Sequence, residues 1–376
     1  MGLIGFGGFG RFIADIFANM PEVQIVSVAD VDRVRVDEAA RMFGGKIYDN
    51  PEELLKDPTV QVVVISSPPA SHGNLIVEAA NNGKHIFCEK PIATTLADAD
   101  SAIEAARKNN VRLTVDFVLR HNPLNDQIIS LVRSGLLGRL HHMSLENWAT
   151  DEVLKPGHWF WDFDQSGGIW IEHGVHFFDL FSAMSGQTAD LVESFAYTRP
   201  DGCQDRVWAM VSYPDGLKAT FHHAFTQPAR FEQTTIRLAS VRGYITLSGW
   251  IQTKAVIEGL VNDQEYKQIC SILNTEPVKI EQYTGPDCIG WAGGEPYNIT
   301  KRVHFEIELK QGKQAVYRES VASAMKDFIQ AVKDSRRQPL VSAKEARIAL
   351  ATAIAAKNAT ERGLRVKVTN PKEDEK

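Results

Sequence analysis

Cysteine is scarce: four in 376 residues, at Cys88, Cys203, Cys270 and Cys288, with no C-x-x-C pair. That argues against a disulfide framework or a cysteine zinc site and suits a reducing cytoplasm, the expected compartment. No apolar run approaches the roughly 20 residues of a membrane span. Positive charge is not in excess: 41 Lys and Arg stand against 47 Asp and Glu, a net charge of -6. Neither nucleic acid nor an anionic membrane is therefore an expected partner. Internal repeats and low-complexity segments are missing. No basic stretch precedes an apolar one at the N-terminus, so no signal peptide is expected. Only Met1-Gly2-Leu3-Ile4 precede the first glycine turn, so the first strand is expected to lack residues or the true start to lie upstream.

What is present is a globular composition, 44% hydrophobic and 23% charged, able to bury a sizeable core. The length suits two domains. Residues 1–118 alternate strand and helix patterns: strands at Gly2–Ile4, Val23–Ala29, Val60–Ile65, His85–Cys88 and Arg112–Phe117, with helices at Arg11–Asn19, Arg33–Phe43, Pro51–Leu55, His72–Asn81 and Leu96–Lys108. This βαβ rhythm predicts an α/β fold with a doubly wound parallel sheet. Residues 119–376 read as an α+β domain. Helices are expected at Pro123–Ser134 and Ile169–Met184. Strands joined by short turns then run from Leu191 to about Glu308, predicting a large, mostly antiparallel sheet. Closing helices fall within 320–362, the second opened by a Ser342/Glu345 capping box. Asn274–Asn298 reads as an inserted loop, and Lys372–Lys376 as a frayed charged tail.

Gly5-Phe6-Gly7-Gly8-Phe9-Gly10 fits G-x-G-x-x-G between a strand stub and a helix, with Asp30 twenty positions past Gly10. Glycines let backbone N–H groups approach a pyrophosphate, and the acidic residue accepts from the ribose 2′-OH. NAD is favoured over NADP, although Arg33 and Arg35 soften that choice and Asp32 can share the role of Asp30. Ser67 and His72 follow the buried strand ending at Ile65; a place beside the cofactor and a plain helix start both stay open. Lys90 closes the strand run His85–Cys88 within Glu89-Lys90-Pro91, at the strand edge where α/β sheets bind ligands.

A second cluster is Gly167-Gly168-Ile169-Trp170-Ile171-Glu172-His173-Gly174-Val175-His176-Phe177-Phe178-Asp179. On an α-helix Glu172, His176 and Asp179 share a face, so Glu172 is expected to orient His176 as a general base. A metal reading is set aside: the order is E-H-x-x-H, and Glu172 and His173 diverge by about 100°. Trp148, Trp159, Trp161 and Trp170, with His158 among them, offer faces for a sugar ring or for core packing. Arg120 and Asn122 lie at the domain junction, where a substrate cleft is expected. His222-His223 is expected on the sheet surface.

In this order, these pieces resemble the Gfo/Idh/MocA oxidoreductase family, which includes glucose–fructose oxidoreductase and inositol 2-dehydrogenase. The residues that carry the resemblance are Gly5–Gly10, Asp30, Gly83-Lys84-His85 leading to Glu89-Lys90-Pro91, Leu119–Pro123 and Gly167–Asp179. It implies a Rossmann domain and an α+β domain whose open sheet forms a homodimer or homotetramer interface. It implies that Lys90 contacts nicotinamide and the substrate hydroxyl, that Pro91 is often cis, and that His176 is the catalytic histidine. Where this chain has Glu172 the family commonly has Asp, so the longer side chain either preserves the role or shifts the substrate by about one C–C bond. The activity implied is NAD-dependent oxidation of a ring secondary alcohol in a sugar, glycoside or cyclitol. Two rivals are an NAD-dependent glycosidase acting by oxidation and elimination, and a non-catalytic nucleotide sensor.

Overall fold

Short runs of β-branched residues form the first sheet because both their faces are covered. In the computed structural model, which describes residues 1–371, its strands are β1 (Gly2–Ile4), β2 (Ser27–Ala29), β3 (Lys46–Tyr48), β4 (Val62–Ile65), β5 (His85–Glu89) and β6 (Leu113–Asp116). All pair in parallel in the order β3-β2-β1-β4-β5-β6. The order reverses direction at β1, placing a ligand crevice at the carboxyl ends of β1 and β4. The strand expected over Val23–Ala29 is regular only from Ser27, and β3 escaped the sequence reading because it is short and half exposed.

The second sheet is built from β7 (Leu140–Thr150), β8 (Leu191–Thr198), β9 (Gln204–Ser212), β10 (Lys218–Gln227), β11 (Gln233–Ser240), β12 (Gly243–Ser248), β13 (Lys254–Val261) and β14 (Lys279–Gln282). A hairpin of β15 (Ile289–Ala292) and β16 (Glu295–Asn298) stands apart, and β17 (Lys301–Glu308) and β18 (Val366–Lys367) complete the sheet. Its order is β14-β17-β13-β12-β11-β7-β10-β9-β8-β18, antiparallel throughout except where β7 runs parallel to β10. The sequence reading missed β7, the longest strand, because His141 and His142 blur its alternation; Met143, Leu145 and Asn147 nonetheless turn inward. Asn274–Asn298 holds β14 and the β15–β16 hairpin in place of the expected loop, and a helix not foreseen spans Asp263–Leu273. The Lys372–Lys376 tail lies outside the described residues.

The two sheets are tied by the closing helices. The Gly312–Lys333 helix returns onto the first sheet, where Phe328 meets Phe87 edge-on at 5.9 Å, and Phe87 meets Phe17 at 5.6 Å. Thr114 Oγ1 donates to the Val341 carbonyl just ahead of the Ala343–Arg362 helix, whose Ser342/Glu345 capping box forms. The other face of the second sheet is left bare. Phe195, Tyr197, Trp208, Met210, Tyr244 and Val256 project from it, each at least 39% exposed.

Candidate active site

The glycine turn between β1 and the Gly8–Ala18 helix is shaped by contacts that forbid side chains. Gly5 has φ +91, and a Cβ there would lie 2.5 Å from the Ser66 carbonyl oxygen; at Gly10 it would strike the Gly5 carbonyl. Gly8 faces open space, a Cβ on Gly7 would meet only Arg35 Nη1 at 3.8 Å, and no side chain caps the helix. A helix start with free N–H groups and an open approach fits a dinucleotide pyrophosphate. Asp30, at the end of β2, accepts from the Phe6 N–H at 2.7 Å and the Asp32 N–H at 2.8 Å. Arg35 sits 3.7 Å from Asp30 and 3.4 Å from Asp32, so a cation flanks the expected ribose site.

Of the two readings left open for His72, the structure shows the helix start: the residue opens the His72–Asn81 helix. Its ring is buried, with Nδ1 2.7 Å from the Pro91 carbonyl and Nε2 2.8 Å from the Ser67 carbonyl. It ties the loop after β4 to the loop after β5. Ser67 Oγ pairs with Ser71 Oγ at 2.6 Å. The Lys90–Pro91 bond is cis.

Lys90 leaves the end of β5 and crosses to the second domain. Its Nζ donates to Glu172 Oε1 at 2.6 Å and to the Glu172 carbonyl at 2.7 Å. This corrects the expected Glu172–His176 pairing. Trp170–Gly174 is a wide π-type turn, and an α-helix resumes only at Val175, so positions 172 and 176 no longer share a face as in an α-helix. Burial opposes ionisation of Glu172, but Lys90, with His173 and His158 adding to it, outweighs burial and holds the carboxyl below its ordinary range. Asp179 is likewise not a partner of His176; it accepts from Arg120 at 3.2 Å.

His176 lies beneath this pair with Nδ1 sealed from solvent and unpartnered, edge-on to Trp250 at 5.4 Å. Burial, then the Lys90 charge, holds its ring well below the ordinary imidazole range. It is therefore neutral and able to accept a proton. His173 is held at about 4 chiefly by burial, and its Nε2 faces Asn147 Oδ1 at 3.1 Å. Asn147 Oδ1 also faces His223 Nδ1 at 3.4 Å. His223 is thus buried, contrary to expectation, while His222 lies on the outer face stacked on Trp208.

Beside these groups opens a cleft of about 550 Å³ lined by Asn147, His173, Phe225, Thr234, Trp250 and Lys313 among others. The expected substrate residues fare unevenly. Asn122 is fully buried and caps the Pro123–Ser134 helix; Arg120 is locked between Asp179 and Glu345. Trp161 donates to the Leu154 carbonyl beneath Arg199, and Trp170 is core, donating to Ser194. Neither Trp159 nor His158 lines the cleft, but His158 is close enough to Glu172 to favour its ionised form. Sequence reasoning missed Trp250 and Tyr317. Tyr317 touches Phe9 and Phe12 on one side and Trp250 on the other, bridging the glycine turn and the cleft. An aromatic at a helix start carries no local signal of such a role.

Two family models match the chain. One, described as "Oxidoreductase family, NAD-binding Rossmann fold", covers residues 1–117; the other, described as "GFO/IDH/MocA C-terminal domain", covers residues 126–246. A myo-inositol 2-dehydrogenase of Thermotoga maritima is 30% identical over 51% of this chain and 56% of its own. A scyllo-inositol 2-dehydrogenase (NAD(+)) of Bacillus subtilis is 29% identical over 49% and 53%. The chain thus matches about half the length of these curated relatives. Among solved structures, a levoglucosan dehydrogenase in complex with NADH is similar with a TM-score of 0.78 at 20% identity, over 98% of this chain and 99% of that one. An oxidoreductase domain protein from Kribbella flavida gives 0.77 at 19% identity, over 99% and 98%. At such identities the two structures speak for the fold alone.

Proposed function

Since the chain belongs to the Gfo/Idh/MocA oxidoreductase family, with an N-terminal NAD-binding Rossmann fold, we propose that it is a dehydrogenase oxidising a ring secondary alcohol of a sugar, glycoside or cyclitol. NAD is the proposed cofactor, since Asp30 faces the expected ribose site with an anion. We take residues 1–118 as its domain and 119–376 as the substrate domain. When bound, the nicotinamide supplies the hydride acceptor.

The observation that carries this reading is the Lys90–Glu172 contact between a strand end of one domain and the His176 segment of the other. Neutral His176 accepts the hydroxyl proton. The Lys90 ammonium stabilises the developing alkoxide as a compact point charge. Glu172 aims Lys90 rather than His176. The aromatic walls Phe225 and Trp250 suit the apolar face of a saturated ring. The names of the inositol dehydrogenase relatives support the same substrate class. The bare apolar face of the second sheet is the proposed homodimer or homotetramer interface.

The test is a screen of sugars, glycosides and inositols with NAD and NADP, reading reduced cofactor. His176→Ala is expected to lower turnover by roughly 10²–10⁴. Near-normal turnover in that variant overturns the assignment.

A further inference from the structure

Glu89 and Asp116 stand directly opposite each other at the ends of the parallel strands β5 and β6. They are 7% and 2% exposed. Glu89 Oε1 and both carboxylate oxygens of Asp116 are sealed from solvent, and no hydrogen-bond donor among the described residues reaches them. The two carboxyl groups are within hydrogen-bonding reach of each other. Two bare carboxylates in such a place carry both the cost of burial and mutual repulsion. One proton between them turns one carboxyl into a donor, removes the repulsion and leaves a single buried charge that is hydrogen-bonded. The arrangement lies immediately behind Lys90.

We propose that Glu89 and Asp116 share one proton and act as a positioning unit that keeps a single negative charge behind Lys90. The proposal rests on the reading of Lys90 as an active-site residue. A second charge behind Lys90 would compete with Glu172 for its ammonium. The shared proton prevents that and leaves Nζ on Glu172. The other ionisable groups facing the pair are Cys88 on β5, Lys90 just past its end and Tyr317 on the Gly312–Lys333 helix. Cys88 and Tyr317 are both held protonated by burial, so only Lys90 offsets the pair. Burial raises both carboxyls above their ordinary range, against the pull of Lys90.

Asp116→Asn is the informative variant. The amide supplies a permanent donor to Glu89 and removes the second carboxyl, so the doubly charged state cannot form. Glu89→Gln does the same with the charge on Asp116 and serves if the first variant folds poorly.

Three measurements test the proposal. Infrared spectra of the whole protein near neutral pH should contain a protonated-carboxyl stretch that both variants lose. Acids whose folded pKa is raised stabilise the fold at low pH, and that stability is lost as pH rises through the folded pKa. Relative to Asp116→Asn, the wild type should therefore lose about 2 °C or more of melting temperature as pH rises from about 4 to about 7. The alkaline limb of kcat/KM should move upward in Asp116→Asn. Parallel melting curves with an unchanged carboxyl band overturn the proposal. The first two readouts need no substrate, so a failure to find turnover counts against the dehydrogenase reading and leaves this one standing.

Discussion

Lys90 Nζ is bonded twice to one residue, to the Glu172 carboxylate at 2.6 Å and to its carbonyl at 2.7 Å. The pair joins the end of β5 to the wide turn ahead of His176, with both side chains 13% exposed. Glu172→Gln keeps the shape and removes the charge. Hydrogen bonds to charged groups contribute about 1.5–3 kcal/mol, so kcat/KM is expected to fall by roughly 10- to 100-fold. Glu172→Asp should fall less, since it restores the charge on a shorter arm. Steady-state kinetics across the two variants checks this; equal rates in wild type and Glu172→Gln would show that the ion pair does not aim Lys90.

How much of this site the sequence disclosed depends on the reach of each signal. The places of the glycine turn, Asp30 and Lys90 are legible because they follow from strand ends and turns within a few residues. Glu172 was read with the wrong partner because the spacing rule assumes an α-helix, whereas Trp170–Gly174 is a wide turn. Asp116 gave no signal at all: it looks like a strand-end residue until β6 pairs with β5. Asn147, Trp250 and Tyr317 come together only through the second sheet and the returning helix. The parallel sheet was readable from its apolar runs. The long strand β7 was not, since His141 and His142 blur its start and a polar residue, Asn147, takes an inward place.

Cofactor choice turns on one cation. Arg35, half exposed, lies 3.7 Å from Asp30 at the expected ribose site. Arg35→Ala is expected to leave NAD affinity within about twofold and to weaken NADP by roughly tenfold, the loss of one charge-assisted contact to a phosphate. Fluorescence titration with each dinucleotide, without substrate, measures the ratio. An unchanged ratio would remove Arg35 from cofactor selection.

His72 is buried between the Pro91 and Ser67 carbonyls. A neutral ring can donate to only one of the carbonyls of Pro91 and Ser67. Burial chiefly lowers its pKa, against the pull of those two carbonyls. His72→Ala removes that donor and leaves a cavity between two loops that border the cofactor crevice. Stability is expected to fall by about 1–3 kcal/mol, the cost of an unsatisfied buried acceptor. NAD affinity should fall as well, while the KM for the sugar or polyol stays within about twofold. Denaturant unfolding and dinucleotide titration check the two effects separately.

Acid stability is set by the histidines around Asn147. His173 is held at about 4, and His176 and His223 well below the ordinary range, all chiefly by burial. In the unfolded chain each takes up its proton near pH 6.5. Between about pH 6.5 and about pH 4 the unfolded state therefore binds more protons, and stability falls as pH falls through that window. The loss is expected as a drop of several degrees in melting temperature from about pH 7 to about pH 5. His173→Gln, which keeps a donor toward Asn147 but cannot titrate, should flatten part of that drop. It should leave the melting difference between the wild type and Asp116→Asn unchanged, because His173 is not among the groups that shift either carboxyl. A variant that melts in parallel with the wild type across the acid range would mean that His173 protonates equally in both states.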